Sequence, residues 1–165
     1  MIDLQFTPLK DEYWIIKPPA PLPYISATAV KRVRDKIDPP TCCPLCNGPV
    51  ALVVNSEIYG RPIGDWPYAY SCQSCGEAYV GLHPDTDIPL GTMAGKDLRT
   101  ARQQAKTRFN ELTHASGKSR HSMYRWLSSK LKLPLSETHF GLFDMSTAIK
   151  VKLIIEEKFF ELKSE

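Results

Sequence analysis

At 165 residues with a formal charge of +3, the chain has the length of one ordinary domain or two small ones and enough apolar content for a real core. No apolar run approaches the roughly 20 residues that cross a bilayer, which excludes a helical membrane protein. So small a net charge names no partner, but its distribution is uneven. Residues 1–41 hold six Lys/Arg against five Asp/Glu, residues 42–90 one against five, residues 91–132 ten against two, and residues 133–165 four against six.

The chain begins Met1-Ile2-Asp3-Leu4-Gln5, with no basic stretch, apolar stretch or cleavage site of an export signal. A reducing cytosol is therefore the expected compartment. Tyr13-Trp14-Ile15-Ile16 predicts a short strand or an anchor. Pro18-Pro19-Ala20-Pro21-Leu22-Pro23 lacks most of its N–H donors and predicts an extended polyproline segment, a stiff connector or surface arm more readily than an SH3-type ligand. Ser26 or Thr28 can cap a short basic helix running to Lys36, carrying Lys31, Arg32, Arg34 and Lys36, and stopped by Asp38-Pro39-Pro40; beside the zinc site it could contact phosphates, although a solvated face is the more ordinary role.

Two cysteine knuckles follow, Cys43-Pro44-Leu45-Cys46-Asn47-Gly48 and Cys72-Gln73-Ser74-Cys75-Gly76. Each brings two sulfurs into one tight turn, and each carries a glycine just after its second cysteine, where the backbone can curl so that amides point at sulfur. Four such thiolates make the closed tetrahedral set that a structural Zn²⁺ prefers. The alternative, a set of buried or disulfide-bonded thiols, fits a reducing compartment poorly. Cys42 lies four residues before Cys46 and stays open as a replacement ligand for Cys43, although Cys-Pro-Leu-Cys-Asn-Gly suits the knuckle turn better.

Between the knuckles, Val50-Ala51-Leu52-Val53-Val54 predicts a strand continuing to Ile58-Tyr59. Gly60-Arg61-Pro62-Ile63-Gly64-Asp65 predicts the hairpin loop, and residues 66–72 the return strand. Residues 78–83 predict a third strand. Tyr59, Trp66, Tyr68, Tyr70 and Tyr79 could stack nucleic-acid bases, but an acidic ribbon is a poor phosphate groove and covering a small metal domain is the better use for them. His83-Pro84-Asp85-Thr86-Asp87 has the composition of a metal cluster, yet with four cysteines in place a polar turn is the simpler assignment.

A helix is predicted over residues 96–115, with Leu98, Ala101, Ala105, Phe109 and Leu112 as its buried stripe. At about 100° per residue, Arg99, Arg102 and Lys106 fall together on one flank. Such like charges repel unless an anion or carboxylate sits among them, which makes this ridge the best binding candidate. Pairing with Glu57, Asp65 or Glu77 would instead make it internal glue. Ser119 can cap a second helix from Arg120 to about Lys132, burying Met123, Tyr124, Leu127 and Leu131, while Arg125, Lys130 and Lys132 extend the positive surface. Gly117-Lys118-Ser119 is not a phosphate-binding loop, because no glycine stands five residues earlier and no strand precedes it. Asp144 can cap a last helix to about Lys163 that buries Val151, Ile154, Ile155, Phe159 and Leu162. The alternation across residues 149–153 leaves a strand there as the alternative.

From the first knuckle to about residue 150 the chain resembles an uncharacterised bacterial and phage family known as the zinc-finger-containing domain family. The residues that carry the resemblance are Cys43, Cys46, Cys72 and Cys75, Pro89-Leu90-Gly91-Thr92, Leu98-Arg99 with Ala101-Arg102, Phe109, Arg120 with Tyr124 and Trp126-Leu127, and His139-Phe140-Gly141-Leu142-Phe143-Asp144. Family members usually carry an acidic residue where this chain has Gly95 and a histidine where it has Lys106. The resemblance implies a zinc ribbon followed by helices and no established activity.

The expected fold is α+β: a four-cysteine zinc ribbon of about three antiparallel strands (residues 42–90) packed with a three-helix segment (residues 91–165), preceded by an arm (residues 1–41). The expected function is a non-enzymatic, cytoplasmic zinc protein of phage or bacterial origin. Structural Zn²⁺ is held by Cys43, Cys46, Cys72 and Cys75. Lys96, Arg99, Arg102, Lys106, Arg120 and Arg125 contact DNA or RNA phosphates. The alternative is an adaptor or inhibitor that docks on a host protein by electrostatic steering between its acidic and basic lobes. An enzyme using His114, His121 or His139 is the weakest candidate, because no His-x-x-x-His spacing or acidic pair accompanies them.

Overall fold

The computed structural model of the protein describes residues 15–164; Tyr13 and Trp14 of the predicted N-terminal strand lie outside them. Two short antiparallel strands, β1 (Ile15–Ile16) and β2 (Ile25–Ser26), flank the proline segment. Ser26 then caps α1 (Ala27–Arg32), its hydroxyl accepting from Ala29 N. The helix stops at Val33, which is extended, four residues short of the predicted end. Like charges four apart at Arg32 and Lys36 disfavour another turn.

The ribbon sheet consists of β3 (Val50–Val54), β4 (Tyr68–Cys72) and β5 (Tyr79–Gly81), all antiparallel, with β4 central. Val50 pairs with Cys72 and Val54 with Tyr68, so the register carries the second knuckle back beside the first. The first strand does not continue to Tyr59. Instead, residues 56–59 form a one-turn helix, α2 (Ser56–Tyr59), closed by Gly60 at φ 75°. Buried Asn55 decides this: its side-chain amide donates to Ile63 O and accepts from Ile63 N, while its backbone N–H donates to Pro67 O. The loop is thus tied to one residue. The return strand begins at Tyr68 because Pro67 has no N–H to give a ladder.

The aromatic side chains Trp66, Tyr68 and Tyr70 are occupied within the ribbon and its contact with the arm. Trp66 Nε1 donates to Thr86 O at 2.9 Å and Tyr70 Oη to Asp87 O at 2.8 Å. Trp66 packs between Tyr24 and Tyr68, with centroids 5.1 and 5.0 Å away. Leu22 and Ile25 of the arm are buried with Tyr70 and Leu82 on this face of the sheet, and Ser26 N donates to Asp85 O. The residues 83–87 form a polar turn in which Thr86, fully buried, donates its hydroxyl to His83 O and accepts from Ile88 N.

Three helices complete the chain: α3 (Lys96–Ser116), α4 (Arg120–Leu131) and α5 (Met145–Ser164). Gly117 at φ 62° ends α3, and Ser119 caps α4 by accepting from Ser122 N. Asp144 accepts from Thr147 N at 2.7 Å to cap α5. The predicted stripes meet in one core: Ala105, Phe109, Leu112, Met123, Leu127, Leu131, Val151 and Ile155 are buried together with Phe140 and Phe143 of the intervening turn. The residues 149–153, which alternate like a strand, are helical because Val151 faces that core on the same side as Ala148 and Ile155. No helix of the described residues is long and apolar enough to cross a membrane.

Candidate metal centre and basic groove

The knuckles converge as their spacing requires. The Sγ atoms of Cys43, Cys46, Cys72 and Cys75 all lie within 4.8 Å of one another. Cys43 and Cys75 sulfurs are 3.7 Å apart, and those of Cys46 and Cys72 3.5 Å. A tetrahedron with Zn–S of about 2.3 Å has sulfur edges of about 3.8 Å, so the site is close to the size zinc needs. Backbone amides turn toward the sulfurs: Leu45 N reaches Cys43 Sγ, and Ser74 N and Cys75 N reach Cys72 Sγ, each at 3.4 Å. The Cys75 N–H, helped by that of Ser74, pulls the Cys72 thiol down to about 6. At Cys46 the Gly48 N–H acts the same way but is outweighed by the sulfur contact with Cys72 and by burial, leaving that thiol at about 11. A divalent cation removes this asymmetry by favouring thiolate at all four positions.

The two turns are built differently. In the second, Gly76 takes the left-handed conformation at φ 67°; in the first, that position is Asn47 at φ 58°. Gly48 serves another purpose, since a Cβ there would stand 2.6 Å from Ser74 Cβ and 3.2 Å from Cys46 Sγ. It lets the knuckles approach each other. Cys42 is outside the cluster, exposed and in a backbone β-bridge with Pro49, so Cys43 is the cysteine that completes the four-sulfur set.

A family model described as a zinc-finger-containing domain matches residues 39–158. The chain belongs to the zinc-finger-containing domain family. The family match spans both knuckles, the whole sheet and most of the three helices, so the four-cysteine cluster is the zinc-binding centre of a family domain. No curated relative and no solved structure matches the chain.

The cations predicted to form one ridge are divided among three environments. Arg102 is buried, 8% exposed. Its Nε donates to Phe143 O at 2.7 Å, and its two terminal nitrogens donate to Thr92 O and Thr92 Oγ1 at 2.8 and 2.7 Å. Burial pushes its pKa below the usual arginine range, with Asp144 opposing the shift. Arg99 lies 3.6 Å over the Tyr79 ring and donates to Glu77 O and Ala94 O at 2.8 and 2.5 Å. In place of the expected phosphates, these two arginines are therefore held internally, by the backbone carbonyls of Glu77, Ala94, Thr92 and Phe143 and not by the carboxylates of Glu57, Asp65 or Glu77. A helical wheel shows which side a residue faces but not which chain segment covers it.

Of the remaining candidates, Lys96 is exposed at the first turn of α3, beside the first knuckle. Arg125 is exposed on α4. Lys106 and Arg120 face elsewhere together: both lower the pKa of His139, behind the larger effects of that ring's burial, which lowers it, and of Asp35, which raises it. Arg120 also donates to Asn110 Oδ1 at 2.9 Å and lies over the Tyr124 ring.

His139 lines a cleft of about 420 Å³ whose other walls are His83, Pro84, Asp85, Leu90, Gly91 and the arm segment Arg32, Val33, Arg34, Asp35 and Ile37. Its floor depends on two glycines. A Cβ on Gly91 would sit 2.6 Å from Gly141 Cα, and Thr92 N donates to Gly141 O at 2.8 Å. His83 is also held below its usual pKa, by burial first and then by His139. Both imidazoles are therefore biased to the neutral form at pH 7. The groove was not legible in sequence, because its histidines are 56 residues apart and its arginines come from the arm. The basic run Lys31-Arg32-Val33-Arg34 was its only local signal.

Proposed function

We propose that this is a non-enzymatic, nucleic-acid-associating zinc protein, in which zinc has a structural role and phosphates are bound along the groove between the arm and the 139–144 turn. One observation carries the reading: Arg32 and Arg34 of the arm line the cleft that contains His139, and Lys106 of α3 and Arg120 of α4, outside its lining, act on the same histidine against the stronger effect of Asp35. Two cations thus line one concave surface, and two more from other elements lie near it. Such a surface tracks a backbone of negative charge without reading sequence. Asp35 and Asp85 at its walls moderate the charge and Tyr24 already engages Asp85 at 2.6 Å.

The test is fluorescence anisotropy with labelled single- and double-stranded DNA and RNA on the full, zinc-loaded chain. With about four phosphate contacts, affinity should fall roughly 50- to 150-fold between 50 and 200 mM salt. Substituting Arg32 and Arg34 together with alanine should lower the logarithmic salt slope by about two. Binding indifferent to salt, to those substitutions and to Lys106→Ala overturns the proposal.

The second reading is an adaptor for a host protein. It is supported by a groove of about 880 Å³ beside the first knuckle, where Leu45 and Tyr59 are 55% and 46% exposed next to Lys96 and Met145. Nuclease-treated lysate separates the two: a stoichiometric protein partner lost in Leu45→Asp favours the adaptor.

A further inference from the structure

The core-facing side of α5 is fully occupied, but its opposite side is not polar. Ile149, Leu153 and Phe160 are 53%, 61% and 75% exposed. Their spacing of four and seven residues places them within about 40° on the helix, a continuous apolar seam some 16 Å long. Glu156, which also falls near this seam, is turned away by Arg108 of α3, whose Nε and terminal nitrogen donate to its two oxygens at 2.7 and 2.8 Å. An exposed apolar seam on a surface helix, whose one intervening carboxylate is drawn off by Arg108, points to a partner.

The charges beside the seam identify that partner. Lys150 and Glu157 lie on one flank, which is basic toward the helix N-terminus and acidic toward its C-terminus; the other flank carries Lys152 and Lys163, with Glu156 between them taken up by Arg108. Among the described residues neither Lys150 nor Glu157 has an ion-pair partner. We propose that the protein self-associates through α5, two copies pairing antiparallel about a two-fold axis that passes close to Leu153. That axis is perpendicular to the helices, and it sets each flank against the same flank of the second copy. Ile149 then packs on the second copy's Phe160. Lys150 comes opposite Glu157. A parallel pairing about an axis along the helices does the reverse. It sets Lys150 against Lys152, like against like.

Sedimentation equilibrium on the full, zinc-loaded chain tests this directly. The wild type should be a concentration-dependent dimer. Leu153→Glu should raise the dimer dissociation constant by about tenfold or more, because the new carboxylate meets its own image across the axis. Lys150→Glu should weaken the dimer, and Lys150→Glu/Glu157→Lys should restore it, since exchanging both signs keeps every cross-helix pair attractive. All positions are exposed on the outer face, and unchanged far-ultraviolet circular dichroism confirms the fold of each variant. A monomer at every concentration, or a dimer indifferent to Leu153→Glu, overturns the proposal. Failure of the double exchange to restore what Lys150→Glu loses overturns the antiparallel pairing.

Discussion

Arg102→Met removes a buried guanidinium while nearly preserving side-chain length and apolar stem. Three hydrogen bonds disappear, to Phe143 O, Thr92 O and Thr92 Oγ1. Bonds made by a charged donor contribute about 1.5–3 kcal/mol each in mutational series, but the sum overstates the loss, because the variant no longer desolvates a cation. What remains is the cost of leaving the carbonyls of Phe143 and Thr92 short of a donor. A net destabilisation of about 2–4 kcal/mol follows. At about 2–4 °C per kcal/mol for a chain of this size, melting should fall by roughly 5–15 °C. Urea unfolding followed by circular dichroism measures the free energy directly, with an unchanged m-value showing that the two-state comparison is fair. Arg102→Lys should recover less than half, since an ammonium cannot reach carbonyls from the two segments in fork geometry. A loss below about 0.5 kcal/mol, the range of ordinary surface substitutions, would refute the internal role. So would intact stability combined with lost nucleic-acid binding, which would return Arg102 to the surface.

The metal centre predicts one equivalent of zinc per chain, retained in Cys42→Ser and lost in Cys43→Ser, as measured by mass spectrometry under native conditions. Stripping zinc with a strong chelator should disorder the ribbon, read by the environment of Trp66, while the α3–α5 core keeps most of its helical signal; an undisturbed Trp66 would count against a structural role. Acidification should also destabilise the groove. His83 and His139 titrate below their unfolded values, so between the depressed folded values and the usual value near 6.5 the unfolded chain holds more protons. Stability is therefore fully present above about 6.5 and falls as pH drops through that window. Thermal melting from pH 7.5 to 5.5 measures it, and His139→Asn should flatten the slope; an equally steep profile in that variant would show that other groups, the zinc thiolates first, are responsible.

What could be read from sequence is what short-range chemistry dictates. Two Cys-x-x-Cys turns specify a tetrahedral site within a few residues each, and the 3.6-residue stripes of α3 and α5 specify their buried faces. Even Asp144 as a cap needed only the residues just after it. Tertiary structure decided whatever depends on which segment covers a given surface. Arg99 and Arg102 stand on the flank of α3 as any solvated cations would. They become structural only because carbonyls 22 and 41 residues away arrive over them. Desolvation then makes the donors of Arg102 indispensable within the fold and removes them from the ligand surface. The arm likewise looks detachable in sequence, yet Leu22 and Ile25 are buried against Tyr70 and Leu82. That packing brings Arg32 and Arg34 to the cleft of His139. Charge was legible residue by residue, but its destination was set by packing between segments far apart in the chain.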